Sequence, residues 1–146
     1  MDEFSNLNIE TDTTISLIKE GLELGVDIWV THPSKLTLNN NVASVKASRI
    51  KSETLKIDIE KEFTINNFDF FFIRQDPPFN MNYLTNIYLL ELHNKFNLKP
   101  FFINKPSGIK NFTEKIFPLY FVQLMPDTII TSDTKVLQKM LNKHKS

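Results

Sequence analysis

The chain contains no cysteine, so disulfide cross-links, thiolate zinc sites and thiol nucleophiles are all excluded. Glycine is almost as scarce. Gly21, Gly25 and Gly108 are too few and too scattered to build a loop of backbone N–H groups around a phosphate. No apolar run approaches the roughly 20 residues that a membrane helix requires, since even residues 68–73 are interrupted by Asp69. Net charge is lacking as well: 17 basic residues balance 17 acidic ones, which leaves no global field to hold nucleic acid or an anionic membrane. Without cysteine or a secretion leader, the chain is expected to be soluble and cytoplasmic. Its 146 residues suit one compact domain able to bury a real core.

What is present is aromatic and locally patterned. The stretch "FFFIRQDPPF", residues 70–79, begins as a short apolar run that predicts a strand hidden on both faces, because an exposed strand would alternate apolar with polar residues. Upstream, "TDTTISLIKEGLELG" predicts a helix with Asp12 or Thr13 as N-cap and Gly25 just past its end. "VDIWVT" follows as a strand, and "KLTLNNNVASVKA" places two period-2 runs around Asn39, Asn40 and Asn41, a hairpin signature. "ETLKIDI" adds a possible strand, and residues 50–66, charged and weakly periodic, are expected to be a surface excursion. After Pro77 and Pro78, Asn80 is positioned to cap a helix over residues 81–96 with Leu84, Ile87, Tyr88 and Leu92 on one face. That helix leads into "PFFIN", so "FFFI" and "FFI" are predicted to be parallel neighbours joined by a right-handed crossover.

This is α/β architecture, and in such sheets ligands sit beyond the carboxyl ends of the strands. Arg74, Asp76, Asn104 and Lys105 all fall there. Two readings fit the first pair equally well: Asp76 caps the turn and pairs with Arg74, or both face a ligand. His32, after the "VDIWVT" strand, is more simply structural, and His93 and His144 are expected to be helical and solvated. "NFT" at Asn111 matches a glycosylation acceptor by chance. Asn111 with Glu114 approximates a capping box, which would put Lys115 in the first turn of a helix. A cation there is disfavoured by the helix dipole; a nearby anion accounts for it, and so does a simply solvated lysine.

In this order, "NLNIETDTTISLIKEGLELG", "IRQDPPFNMNYLTNIYLLE", "FINKPSGIKNFTEKIF" and "PDTIITSD" resemble the N-terminal region of prokaryotic glutathione synthetases over nearly the whole chain. The resemblance implies a Rossmann-like pre-ATP-grasp domain over residues 1–126, with a mainly parallel sheet, a small hairpin excursion and its first strand missing. Residues 127–146 would begin a truncated ATP-grasp domain. It also implies a ligase that joins γ-glutamylcysteine to glycine through an acyl phosphate, using ATP and magnesium. Lys115 matches a family lysine that contacts ATP. Arg74 and Asp76 match a block bordering the active-site cleft, with Asn104 and Lys105 nearby. The lid and metal ligands of the family have no counterpart in this sequence, so the resemblance implies a fragment, inactive alone, with a homo-oligomer among its expected partners. The alternative is a non-catalytic remnant that binds a subunit or small ligand.

Overall fold

The structure is a computed structural model that describes residues 1, 3–51, 55–113 and 115–143. Two compact units are present, Met1–Asn111 and Phe112–Ser146.

The first unit begins with α1 (Thr13–Glu23). Its start is set by Asp12, whose carboxylate accepts hydrogen bonds from the N–H groups of Thr14 at 2.6 Å and Ile15 at 3.4 Å. Gly25, at φ 75°, turns the chain away from the helix end. Asp12→Ala is expected to lower unfolding free energy by about 1 kcal/mol and Asp12→Asn by only a fraction of that, as read by urea unfolding.

A five-stranded sheet follows: β1 (Trp29–Val30), β2 (Leu36–Asn39), β3 (Val42–Lys51), β4 (Lys56–Ile57) and β5 (Lys61–Thr64). Each of the others pairs antiparallel with β3. The predicted hairpin is formed by β2 and β3, with Asn40 and Asn41 at φ 47° and 61°. These left-handed angles suit a two-residue turn, and asparagine tolerates them. The expected surface excursion over residues 50–66 is corrected. Within it β5 pairs with residues 44–47 of β3, Phe63 packs edge-on against Trp29 at 4.6 Å, and Ile65 is fully buried. The charges of β5 mislead because only one of its faces meets the core. Of the possible strand "ETLKIDI", Lys56 and Ile57 form β4, and Glu53 and Thr54 lie outside the described residues.

The chain then forms β6 (Phe70–Phe72), α2 (Met81–Phe96), β7 (Phe101–Ile103) and α3 (Pro106–Asn111). As expected, β6 and β7 are parallel neighbours, with Phe71 opposite Phe102. Asn80 caps α2 by accepting the Tyr83 N–H at 3.0 Å. The mainly parallel sheet is not found: among the described residues only β6 and β7 pair in parallel, and β1 belongs to the antiparallel sheet. The fold is mixed α/β. Nor is β6 hidden on both faces. Phe71 and Ile73 turn toward a core of Ala43, Val45, Ala47, Ile65, Leu90 and Phe102, whereas Phe70, Phe72 and Phe101 remain 61%, 50% and 60% exposed. Period-2 side-chain alternation puts these three rings on the opposite face of the pair from Phe71 and Phe102.

The buried side of α2 is also rotated from the predicted one. Ile87, Leu90 and His93 are buried, and Tyr88 and Leu92 are exposed. His93, expected to be solvated, is fully buried. The Ala43 N–H donates to its Nδ1 at 3.0 Å, so Nε2 carries the proton and donates to the Lys99 carbonyl at 2.8 Å. One side chain thereby ties α2 to β3 and to the approach to β7. His144 lies outside the described residues.

The second unit holds a 3-10 stretch (Phe117–Leu124) and α4 (Thr134–Lys143). Phe117 gathers Phe112, Tyr120 and Phe121 around it at 4.6–5.8 Å between ring centres. None of its described side chains is fully withdrawn from solvent.

Candidate functional site

The exit of β6 is fixed by backbone geometry. The Ile73 N–H donates to the Ile103 carbonyl at 2.7 Å, which carries the parallel ladder one residue past β6. Beyond that, Pro77 and Pro78 offer no backbone donors, so the chain cannot continue as a paired strand.

Arg74 leaves this exit toward the first turn of α1. Its Nη2 donates to Thr13 Oγ1 at 2.8 Å and its Nε to Thr14 Oγ1 at 3.3 Å. The pairing of Arg74 with Asp76 does not form; neither makes an ion pair among the described residues. Hydroxyls orient the guanidinium without neutralising it, so its charge stays available to a carboxylate or phosphate.

Asp76 points the site elsewhere. It lines an open cleft of about 650 Å³ at the carboxyl ends of β1 and β6. The N-terminal segment supplies Glu3 and Asn6, the exit of β1 supplies His32 and Ser34, and the exit of β6 supplies Gln75 together with Asp76. The fourth wall is α2, through Asn82, Thr85 and Asn86. These positions are spaced i, i+3 and i+4, which puts them on one helical face. Asn86 Nδ2 donates to Gln75 Oε1 at 3.4 Å and so joins two walls.

His32 is held locally, as the structural reading of it holds. Its Nδ1 meets the Ser34 hydroxyl at 2.7 Å and accepts the Ser34 N–H at 3.2 Å, capping the 3-10 turn Pro33–Lys35. It is nevertheless a wall of the cleft. Beneath Asp76, burial and then the Asp76 charge push the Tyr83 phenol above its ordinary pKa.

The remaining candidates fall outside this cleft. Asn104 and Lys105 follow β7 and are exposed, and the Lys105 carbonyl accepts the N–H groups of Gly108 and Ile109 at the start of α3. Arg74 borders the same strand exit as Asp76 without lining the cavity. Asn111, expected to begin a helix, is the last residue of α3. Lys115 stands in a turn of the second unit before the 3-10 stretch, and Glu114, its supposed capping partner, lies outside the described residues. Pro106 at the head of α3 explains the displacement, because proline is favoured in a first turn and draws the helix upstream.

Among the described residues no three His, Asp or Glu side chains converge on a cation position. The described residues therefore do not by themselves fit a magnesium site.

The polar stripe of α2 is the one part of the cleft that sequence reading missed yet spacing could have shown. Glu3 and Asn6 carry no such signal, since their partners lie about 70–80 positions away in sequence.

Residues 1–110 match the model of a family described as prokaryotic glutathione synthetase, N-terminal domain. A glutathione synthetase of Brucella melitensis biotype 1 is 34% identical over 140 residues, covering 91% of this chain and 43% of the relative. One from Bradyrhizobium diazoefficiens is 32% identical over 149 residues, covering 99% of this chain and 46% of the relative. The chain thus spans about half the length of the curated relatives it matches. With the matched region extending over the whole first unit but its last residue, the chain belongs to the prokaryotic glutathione synthetase family, through that family's N-terminal domain.

Proposed function

We propose that this chain is the N-terminal part of a glutathione synthetase and supplies one wall of the substrate site for joining γ-glutamylcysteine to glycine. The observation that carries the reading is the family match over residues 1–110; the exposed Arg74 beside an open cleft gives it chemistry. In this reading residues 1–126 are a Rossmann-like pre-ATP-grasp domain and residues 127–146 begin the ATP-grasp domain, all in the cytoplasm. ATP supplies the activation of the dipeptide carboxylate, and the residues that hold magnesium belong to the part of the relatives this chain does not match.

What this chain's own residues do is bind and orient. Arg74, locked by the Thr13 and Thr14 hydroxyls, offers a fixed cation to a substrate carboxylate. Asp76 and the amides of α2 shape the cleft beside it. Asn104 and Lys105 lie at the neighbouring exit of β7, and Lys115 is assigned to the nucleotide.

The test is a chimera in which this chain is followed by the Bradyrhizobium relative's sequence beyond the matched segment. Glutathione formation is expected from the chimera and not from the 146-residue chain alone. In the chimera Arg74→Ala should raise KM for the dipeptide by about 10- to 100-fold, the equivalent of a charged hydrogen bond of about 1.5–3 kcal/mol. Lys115→Ala should instead raise KM for ATP. A folded chimera without turnover, or one indifferent to Arg74→Ala, would overturn the assignment.

A further inference from the structure

The cleft has a one-sided chemistry. Among the described residues its walls carry two carboxylates, Glu3 and Asp76, together with amides, hydroxyls and one imidazole, and no lysine or arginine. The imidazole of His32 is engaged at Nδ1 by the Ser34 N–H and hydroxyl. Glu3 lies within the field of Lys35, which itself pairs with Glu60. Asp76 has no such neighbour: among the described residues its carboxylate accepts no hydrogen bond and makes no ion pair. The Asp76 carboxylate is exposed on the wall of this concave polar cleft, open to a ligand that brings its own cation. The nearest basic group on the same strand exit, Arg74, is held away against Thr13 and Thr14.

We infer that the cleft receives the ammonium end of the dipeptide substrate, with Asp76 as the charge partner that selects for a free amino group. This rests on the functional reading above. It divides the β6 exit by sign: Arg74 meets a carboxylate, and Asp76, two residues on, meets an ammonium. The amides of Asn82 and Asn86 supply neutral oxygens for the remaining N–H donors of such a group.

The experiment is an NMR titration of the 15N-labelled 146-residue chain, under reducing conditions, with γ-glutamylcysteine and separately with its N-acetyl derivative. The free dipeptide is expected to shift the signals of Asp76, Asn82 and Asn86. Acetylation, which removes the positive charge, should weaken binding at least tenfold. Asp76→Asn should weaken binding of the free dipeptide by a similar factor while the rest of the spectrum stays that of the folded chain. Equal affinity for the two ligands on the unmutated chain would overturn the inference whatever the variant does, and so would undiminished binding to Asp76→Asn. If the dipeptide then still binds in a manner abolished by Arg74→Ala, the functional reading survives and only the ammonium assignment falls. No shift with the free dipeptide at any concentration would remove both.

Discussion

Replacing His93 with alanine is expected to lower the unfolding free energy of the chain by about 3–5 kcal/mol. Two effects add. The ring is fully buried beside Phe102, at 6.3 Å between ring centres, so its removal leaves a cavity that the packed core closes only in part. It also strands two backbone groups, the Ala43 N–H at 3.0 Å from Nδ1 and the Lys99 carbonyl at 2.8 Å from Nε2. A buried polar group left without a partner costs about 1–3 kcal/mol. Urea unfolding followed by the fluorescence of Trp29, the single tryptophan, would measure the loss. His93→Leu fills more of the space but leaves both backbone groups unpaired, so it should recover only part of the stability. Recovery to native stability by leucine would show that the hydrogen bonds contribute little.

Ile65→Ala is the second large effect, expected at about 2–5 kcal/mol, with Ile65→Val near 0.5–1.5 kcal/mol. Ile65 is 0% exposed and sits in the cluster of Ala43, Val45, Leu90 and Phe102, where strands from both sheets meet α2. Ile57, eight positions earlier in the same charged stretch, is 49% exposed on β4. Ile57→Ala is therefore expected to stay within about 0.5 kcal/mol of the parent. Equal losses for the two alanine variants would remove Ile65 from the core.

The cleft shows how much distance in sequence matters. Asp76 and Arg74 were marked by their place after a buried-looking strand, and both do border a strand exit at the edge of a cavity. Their partners were not legible. A salt bridge between near neighbours was the local solution, yet Arg74 bonds to hydroxyls 60 and 61 residues away. His32 was read as structural, and it caps a turn through Ser34, two positions on; its place in the wall of a cleft with Asn82 and Asn86 was not legible.

The sequence by itself determined what is settled within a few residues, along with the family. Asp12 caps α1, Asn80 caps α2, Asn40 and Asn41 turn the hairpin, and Gly25 ends a helix, because each satisfies backbone groups or dihedral angles no more than about one helical turn away. The parallel pairing of β6 and β7 was readable too, since one crossover helix joins two short apolar runs. Only the tertiary structure decided that β5 is a core strand, that β1 joins the antiparallel sheet, and that His93 is buried. Each of these depends on a partner that local pattern cannot name. A charged strand is half-buried once β3 lies beside it, and a helical histidine is withdrawn from water only because Ala43, fifty residues earlier, has an N–H to satisfy.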